Sequence, residues 1–262
     1  MIPAGREQAA LADSAGLALV AEMYGVQLDQ LAISLGLTGR QVRALAASWT
    51  GRKLAESGVL GPGPPWVWLT RTGLRACGLR YTAAPPALPR LAHIRATTAV
   101  RLALEAAPGY ASGNAHWRSE RRLRSRLGGR LGTRDHLPDA EVHWPDSETT
   151  AAWAGECWAI EVELTAKTIS RTTAIMREIL ARTGDYGCVA AEARVPGAPP
   201  RHLRAIYLCS PAAIGTVRRA REALGSLAAR VEIRDLPAGA YLPPVSSQRR
   251  PKPGSEQIRA GT

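Results

Sequence analysis

Residues 157–167 read CWAIEVELTAK, and this stretch decides the fold of the larger part of the chain. Side chains alternate across a strand, so Ile160, Val162 and Leu164 face one way while Ala159, Glu161 and Glu163 face the other. Two carboxylates about 7 Å apart on one face admit two readings. In the first, the strand is antiparallel, with an apolar inner face and a solvated outer one. In the second, a cation bridges the like charges, which otherwise repel each other.

Upstream, residues 136–144 read HLPDAEVHW, and Pro138-Asp139 opens a second strand-like stretch. If the two strands pair as a hairpin, Asp139 comes beside Glu161 and Glu163. Three hard oxygen donors at that density suit Mg²⁺ or Mn²⁺. A metal so held polarises a phosphate and generates hydroxide. Lys167 stands close by in a chain with 34 basic residues, of which only Lys53, Lys167 and Lys252 are lysines. Its amine can be tuned by its surroundings as a guanidinium cannot. Further out, the pattern predicts a helix near 91–107 and strands near 110–116, 139–144 and 157–164. A helix near 170–182, a strand near 204–209, a helix about 212–228 and a strand about 230–235 follow.

The chain has 262 residues, 45% of them hydrophobic, enough for one or two domains with proper cores. No apolar run approaches the ~18 residues of a membrane span, and no basic segment precedes an apolar block at the start, so a cytoplasmic, membrane-free protein is expected. Cys77, Cys157, Cys188 and Cys209 form no CxxC pair, which argues against a zinc site or a disulfide scaffold and fits a reducing cytoplasm. The five histidines have no HExxH or paired Cys/His spacing, so satisfied or surface roles are expected of them. Nucleotide-binding glycine loops and the GxSxG elbow are missing as well.

A net charge of +12 and an isoelectric point near 10.4 point to a polyanionic partner, most plausibly nucleic acid. Abundant Ala, Gly and Pro, the dominance of arginine and the lack of Phe also fit the coding bias of a GC-rich genome, which inflates arginine without functional cause. One segment escapes that discount. Seven arginines lie between Arg118 and Arg134 with Glu120 as the single acid. So uniform a sign predicts a phosphate-facing surface, with Arg118, Arg121, Arg122 and Arg124 in it.

Residues 28–45, LDQLAISLGLTGRQVRAL, carry a second signal. Leu28, Leu31, Ala32 and Leu35 share a helical face, Gly36 breaks the helix, and Thr38 caps a second one with Val42 and Leu45 inward. Ala32, Gly36, Val42 and Leu45 fill the four diagnostic positions of the helix-turn-helix family, which this segment resembles. Val59-Leu60, the turn at 61–65 and Trp66–Leu69 read as two short strands, so the whole is similar to a winged helix. The resemblance implies that Thr38, Arg40, Gln41 and Arg43 sit at the exposed start of the recognition helix, with Arg52 and Lys53 on the DNA backbone. A winged helix used for protein contacts alone is the alternative. Residues 1–85 hold eight basic against five acidic residues, a mild balance for tight independent binding.

The expected organisation is therefore a DNA-binding domain over 1–82, a linker over 83–90, an α/β domain over 91–244 and a disordered basic tail over 245–262. Pro138-Asp139, Glu161-x-Glu163 and Lys167 resemble the PD-(D/E)XK nuclease superfamily and its α-β-β-β-α-β core. Glu163 stands where that superfamily usually has lysine, and Lys167 supplies one four residues later. The resemblance implies a metal-dependent endonuclease site of Asp139, Glu161, Glu163 and Lys167, with Glu120 as a further acid. Together with His93 in a helix, Trp117–Glu120 and the Glu-x-Glu-Leu-Thr run, the two halves resemble the replication-relaxation family of actinobacterial plasmids and integrative elements. That implies work on double-stranded DNA in plasmid replication or conjugative mobilisation. It leaves open a relaxase or another plasmid-transfer protein as partner, a homodimer, and a non-enzymatic accessory factor or transcriptional regulator with a degenerate nuclease fold.

Overall fold

Gly36 ends a helix for the reason its sequence context requires: it sits at φ 62°, the left-handed region that favours glycine. The computed structural model describes residues 4–107, 109–110, 115–127, 136–144, 155–182 and 201–241. The basic tail read from residue 245, and the arginines at 130 and 134, lie outside them. The first part runs α1 (Ala4–Glu22), β1 (Val26–Gln27), α2 (Leu28–Leu35), α3 (Gly39–Gly51), β2 (Ala55–Gly58), β3 (Trp66–Leu69) and α4 (Arg71–Ala76). Thr38 caps α3 in a reciprocal box: its hydroxyl accepts from the Gln41 amide while Gln41 Oε1 accepts from the Thr38 amide at 2.8 Å. Val42, Ala46 and Trp49 of α3 pack on Leu31 of α2 and Val20 of α1 in one core.

The three strands form an antiparallel sheet in the order β1-β3-β2, with Ala55 opposite Leu69 and Gly58 opposite Trp66. The hairpin is thus displaced from its expected first strand, for β2 stops before Val59, which is 76% exposed. Thr70 sets this register by clamping the Leu54 carbonyl with its amide at 3.0 Å. Beside that clamp, a Cβ added to Gly73 of α4 would stand 2.0 Å from the Leu54 carbonyl oxygen. Gly73→Ala is therefore expected to destabilise by about 1–3 kcal/mol, read as a lower urea midpoint, whereas Gly78→Ala, with open space around its Cβ, reports the strain of its positive φ alone.

After the proline-rich segment and a 3₁₀ turn (Leu88–Arg90) come α5 (Leu91–Glu105), β4 (His116–Ser119), α6 (Glu120–Leu127), β5 (Ala140–His143), β6 (Cys157–Glu163), α7 (Ile169–Ala181), β7 (Arg204–Cys209), α8 (Pro211–Glu222), a second 3₁₀ turn (Gly225–Arg230) and β8 (Val231–Asp235). The strands make one sheet in sequence order. β4, β5 and β6 pair antiparallel, then β7 and β8 run parallel to β6, joined by α7 and α8. Helices cover both faces. Ala96, Ala99 and Val100 of α5 pack on Trp158, Ile160 and Val162, while Ile175, Met176 and Ile179 of α7 and Val217 of α8 pack on Ala159, Ala205 and Tyr207. The protein is thus mixed α/β. The strand expected near 110–116 lies at 116–119, and the arginine-rich run beyond it forms α6.

The two parts are tied together. Trp66 and Trp68 of β3 share a core with Leu91 and Ile94 of α5. Arg95, only 4% exposed, donates to both oxygens of Asp29 at 3.1 and 2.8 Å and to the Tyr241 carbonyl at 2.8 Å. A buried guanidinium held on three sides is stable only in its fixed place, so α5 and α2 form a joint. Among the described residues, no helix is long and apolar enough to cross a membrane.

Candidate functional site

β6 has the two faces its alternation predicts, but neither is solvated. The Ala159, Glu161 and Glu163 side looks towards α7 and α8, so Glu161 is 2% and Glu163 4% exposed. The reading of an outer, water-facing carboxylate row is thereby corrected: parallel pairing with β7 and the α7 crossover put that face inside. β5 does pair antiparallel with β6, with Ala140 opposite Ile160, and Asp139 leads into it. Asp139 Oδ2 accepts from the Val162 amide at 2.8 Å, and its own carbonyl accepts from the Glu120 amide at 2.8 Å. The hairpin therefore delivers Asp139 to β6, as its sequence position suggests.

Each acid has a named partner. His93 Nε2 of α5 donates to Asp139 Oδ1 at 2.7 Å, and His136 Nε2 donates to Glu161 Oε1 at 2.7 Å. Lys167, on the turn after β6, pairs with Glu163. The His136 loop is itself held, its amide donating to Glu178 Oε1 at 2.8 Å and its carbonyl accepting from Arg182. Tyr207 of β7 stands beside Glu161 in parallel register, and its buried hydroxyl has no hydrogen-bond partner.

The electrostatics separate the acids. Burial, with the charges of Asp139 and Glu163 added, pushes Glu161 up to about 7 despite the His136 bond. Burial acts the same way on Asp139, but His93, the Val162 amide and His136 outweigh it and hold that carboxyl below its ordinary value. Burial would lower both His93 and His136; their carboxylate partners outweigh it and raise them. Burial, and then Glu161, Glu163 and Asp139, drive the Tyr207 hydroxyl well above its usual range. Negative charge is in excess here, and Glu161 carries the strain of it. Asp139, Glu161 and Glu163 are hard oxygen donors of the kind Mg²⁺ or Mn²⁺ takes, although among the described residues their oxygens are not gathered within 4.8 Å of one another as a ready three-ligand group.

Glu120 stands apart from this trio. Burial tends to raise its pKa, but Arg124 and Arg90 donate to its two oxygens at 2.7 Å each and hold it low. It lines a pocket of about 20 Å³ with Asp139 and His93, room for one water. The basic residues also divide. Thr38, Arg40, Gln41, Arg43, Arg52 and Lys53 are all exposed around the start and end of α3. Of these, Thr38 and Gln41 are engaged in the helix cap, and Arg52 pairs with Asp13 at 2.8 Å. Arg118 and Arg122 line an open pocket of about 460 Å³ with Arg101 and His116. Arg121 does not reach the surface. At 8% exposure it donates to the Ala21 and Thr82 carbonyls at 2.7 and 2.6 Å and lies between Tyr24 and Tyr81. That arginine ties α6 to the first part.

Sequence reasoning named His93 only within the family resemblance, expected satisfied or surface roles of the histidines, and did not single out Tyr207. One signal was present: Asp139 follows His136 by three positions, in a chain with only five histidines. No protein-family model matches the chain, and no curated protein matches it. Among solved structures, it is similar to an O-methyltransferase family 2 protein from Planctomyces limnophilus, crystallised with apigenin, at 15% identity and a TM-score of 0.18. The alignment covers 88% of this chain and 60% of that one, so the chain spans less than two thirds of that protein. A likeness at that TM-score carries no argument about fold or chemistry.

Proposed function

We propose that the protein binds double-stranded DNA and carries a metal-dependent, nuclease-like site built from Asp139, Glu161, Glu163 and Lys167. The observation that carries this reading is the burial of two adjacent carboxylates on β6 with a third, Asp139, hydrogen-bonded to the same strand. Carboxylates so placed are costly unless cations compensate them, and His93, His136 and Lys167 supply part of that compensation. The order α5-β4-α6-β5-β6-α7-β7, antiparallel through β6 and then parallel, supports a PD-(D/E)XK core with α6 inserted between its first two strands. The order β1-α2-α3-β2-β3 with its three-stranded sheet supports a winged helix, and exposed Arg40 and Arg43 at the start of α3 suit groove contact. Plasmid replication or conjugative mobilisation is the setting we infer for it.

In this reading Asp139, Glu161 and Glu163 would draw together to hold Mg²⁺ or Mn²⁺, which when bound would polarise a phosphate and make water more acidic. His136 fixes the Glu161 carboxylate in place, and His93 does the same for Asp139. Lys167 is 40% exposed at the end of the strand, where its ammonium orients the scissile phosphate and stabilises the charge that grows on it. A second reading has its own support. Every one of these acids already has a partner within the protein, as expected of an accessory factor or regulator that keeps the fold without the cleavage.

Nicking of supercoiled plasmid with Mg²⁺ or Mn²⁺, run beside melting temperature against Mn²⁺, separates the two. The nuclease reading expects nicking by the wild type, lost in Asp139→Asn and in Lys167→Ala. It expects Mn²⁺ at 100 times its Kd to stabilise wild type and Lys167→Ala by about 2.7 kcal/mol, and Asp139→Asn far less. Retarded but uncut plasmid, with no Mn²⁺ effect on any of the three, establishes the accessory reading.

A further inference from the structure

A different cluster occupies the other end of the same strands. Glu141 and His143 lie on β5, Cys157 opens β6 opposite His143, and His202 precedes β7, where the Leu203 amide donates to the Cys157 carbonyl at 3.0 Å. All four side chains are on the face that α7 covers. His143 Nε2 is 2.8 Å from Glu141 Oε2 and 3.5 Å from Cys157 Sγ, and His202 Nε2 is 2.8 Å from Glu141 Oε1. One ligand atom each from Glu141, Cys157 and His202 lies within 4.8 Å of the others. Glu141 and His202 are fully buried.

His202 makes the argument sharper. Its Nδ1 is 3.1 Å from the Ile179 carbonyl and its Nε2 faces Glu141, so both ring nitrogens point at acceptors. A neutral imidazole has one N–H to donate. With Nδ1–H on the backbone carbonyl, Nε2 turns a lone pair towards the cluster, the arrangement by which a ligating histidine is usually oriented. Either a second ring proton or a metal ion then bridges Nε2 and the carboxylate. Arg201 meets Glu141 from the side, donating from Nε and Nη2 at 2.9 Å each, and so orients the carboxylate.

We propose that Glu141, His143, Cys157 and His202 form a binding site for a borderline transition-metal cation, Zn²⁺ by its donor set, separate from the hard-oxygen trio. Glu141, Cys157 and His202 supply three ligands at their present spacing, and His143, 3.5 Å from Cys157 Sγ, becomes the fourth on a small shift; four protein ligands mark a structural rather than a catalytic ion. On binding, Cys157 Sγ and His202 Nε2 release their protons to solvent, and His143 carries its proton on Nδ1 so that Nε2 faces the ion. It ties β5, β6 and the lead-in to β7 at a point where the sequence between β5 and β6, and between α7 and β7, is long. Thiolate and imidazole donors favour Zn²⁺ or Co²⁺ over Mg²⁺ and Mn²⁺, so the two sites discriminate between ions.

The test is cobalt titration of the reduced full-length protein, followed by Zn²⁺. One equivalent of Co²⁺ is expected to produce thiolate-to-cobalt charge-transfer absorption with visible ligand-field bands, and one equivalent of Zn²⁺ to abolish both. Cys157→Ser is expected to lose the charge-transfer band, and His143→Gln to lower the apparent affinity by at least about 10- to 100-fold. Cys77→Ser serves as the control and is expected to keep the band. A wild-type protein without the band, or a band that survives in Cys157→Ser, overturns the proposal, and neither result depends on any variant folding poorly.

Discussion

At pH 8 in the presence of a chelator, the Glu161→Gln protein melts well above the wild type, and at pH 5 the gain shrinks towards nothing. The sign follows from the raised carboxyl. Glu161 titrates near 4.5 in an open chain and is pushed up to about 7 by burial and by the neighbouring Asp139 and Glu163 charges. Between those values the folded protein binds more protons than the unfolded one, so stability falls as pH rises through the window. Above it, holding the ionised side chain inside costs on the order of 3 kcal/mol. Glutamine is neutral throughout and still accepts from His136 Nε2. His136 works in the same sense. Its pKa is raised chiefly because Glu161 outweighs burial, so the stability it contributes is present below 6.5 and lost as pH rises through its folded value. The gain from the amide is therefore clearest at the alkaline end. Glu178, whose carboxylate accepts from the His136 amide, and Tyr207, whose hydroxyl sits beside Glu161, are further titratable groups near Glu161 on this face. Thermal melts of both proteins at pH 5 and pH 8 decide the matter: a solvated carboxylate would leave the two within about 0.5 kcal/mol at either pH.

That carboxylate shows what was legible beforehand. The period-two run at 157–164 identified the strand and assigned its faces correctly, because alternation is a local property. Gly36 and Thr38 marked the break and the cap between α2 and α3 for the same reason. Whether the acidic face meets water depends on where α7 returns, a contact between segments far apart in the chain, and local pattern is silent on that. The partners of the acids were hidden for this reason as well: His93 reaches Asp139 across 46 residues and His202 reaches Glu141 across 61. Charge misled where length did not. Arg121 belongs to a run of uniform sign, yet its guanidinium is buried on two backbone carbonyls, because Tyr24 and Tyr81 offer it a lined slot. Val59 and Leu60 looked like strand residues by composition, but the Leu54–Thr70 clamp sets the pairing and leaves the polar AESG run of 55–58 to form β2.

Glu141→Leu is expected to produce the largest loss of stability, about 3–5 kcal/mol, measured by denaturant unfolding with a chelator present. Glu141 has no exposed surface and accepts from four N–H groups: His143 Nε2, His202 Nε2, and Nε and Nη2 of Arg201. Burial tends to raise its pKa, but those partners hold it well below the ordinary carboxylate value. A depressed acid contributes stability that is present above its unfolded pKa and lost only as pH falls through the folded one. The difference between wild type and Glu141→Leu should therefore be flat from pH 8 down to about 5 and narrow in stronger acid, the reverse of the pH trend at Glu161. Most of the loss comes from what remains: Arg201, with 7% of its side chain exposed, keeps a positive charge without the carboxylate opposite it. Removing both charges relieves that. The double variant Glu141→Leu, Arg201→Met is expected to recover most of the stability, since an apolar replacement of a buried pair is often neutral or better. A double variant that falls as far as the sum of the single ones would instead mean that Glu141 acts through its histidines, and that the arginine is incidental to the strand ends they hold.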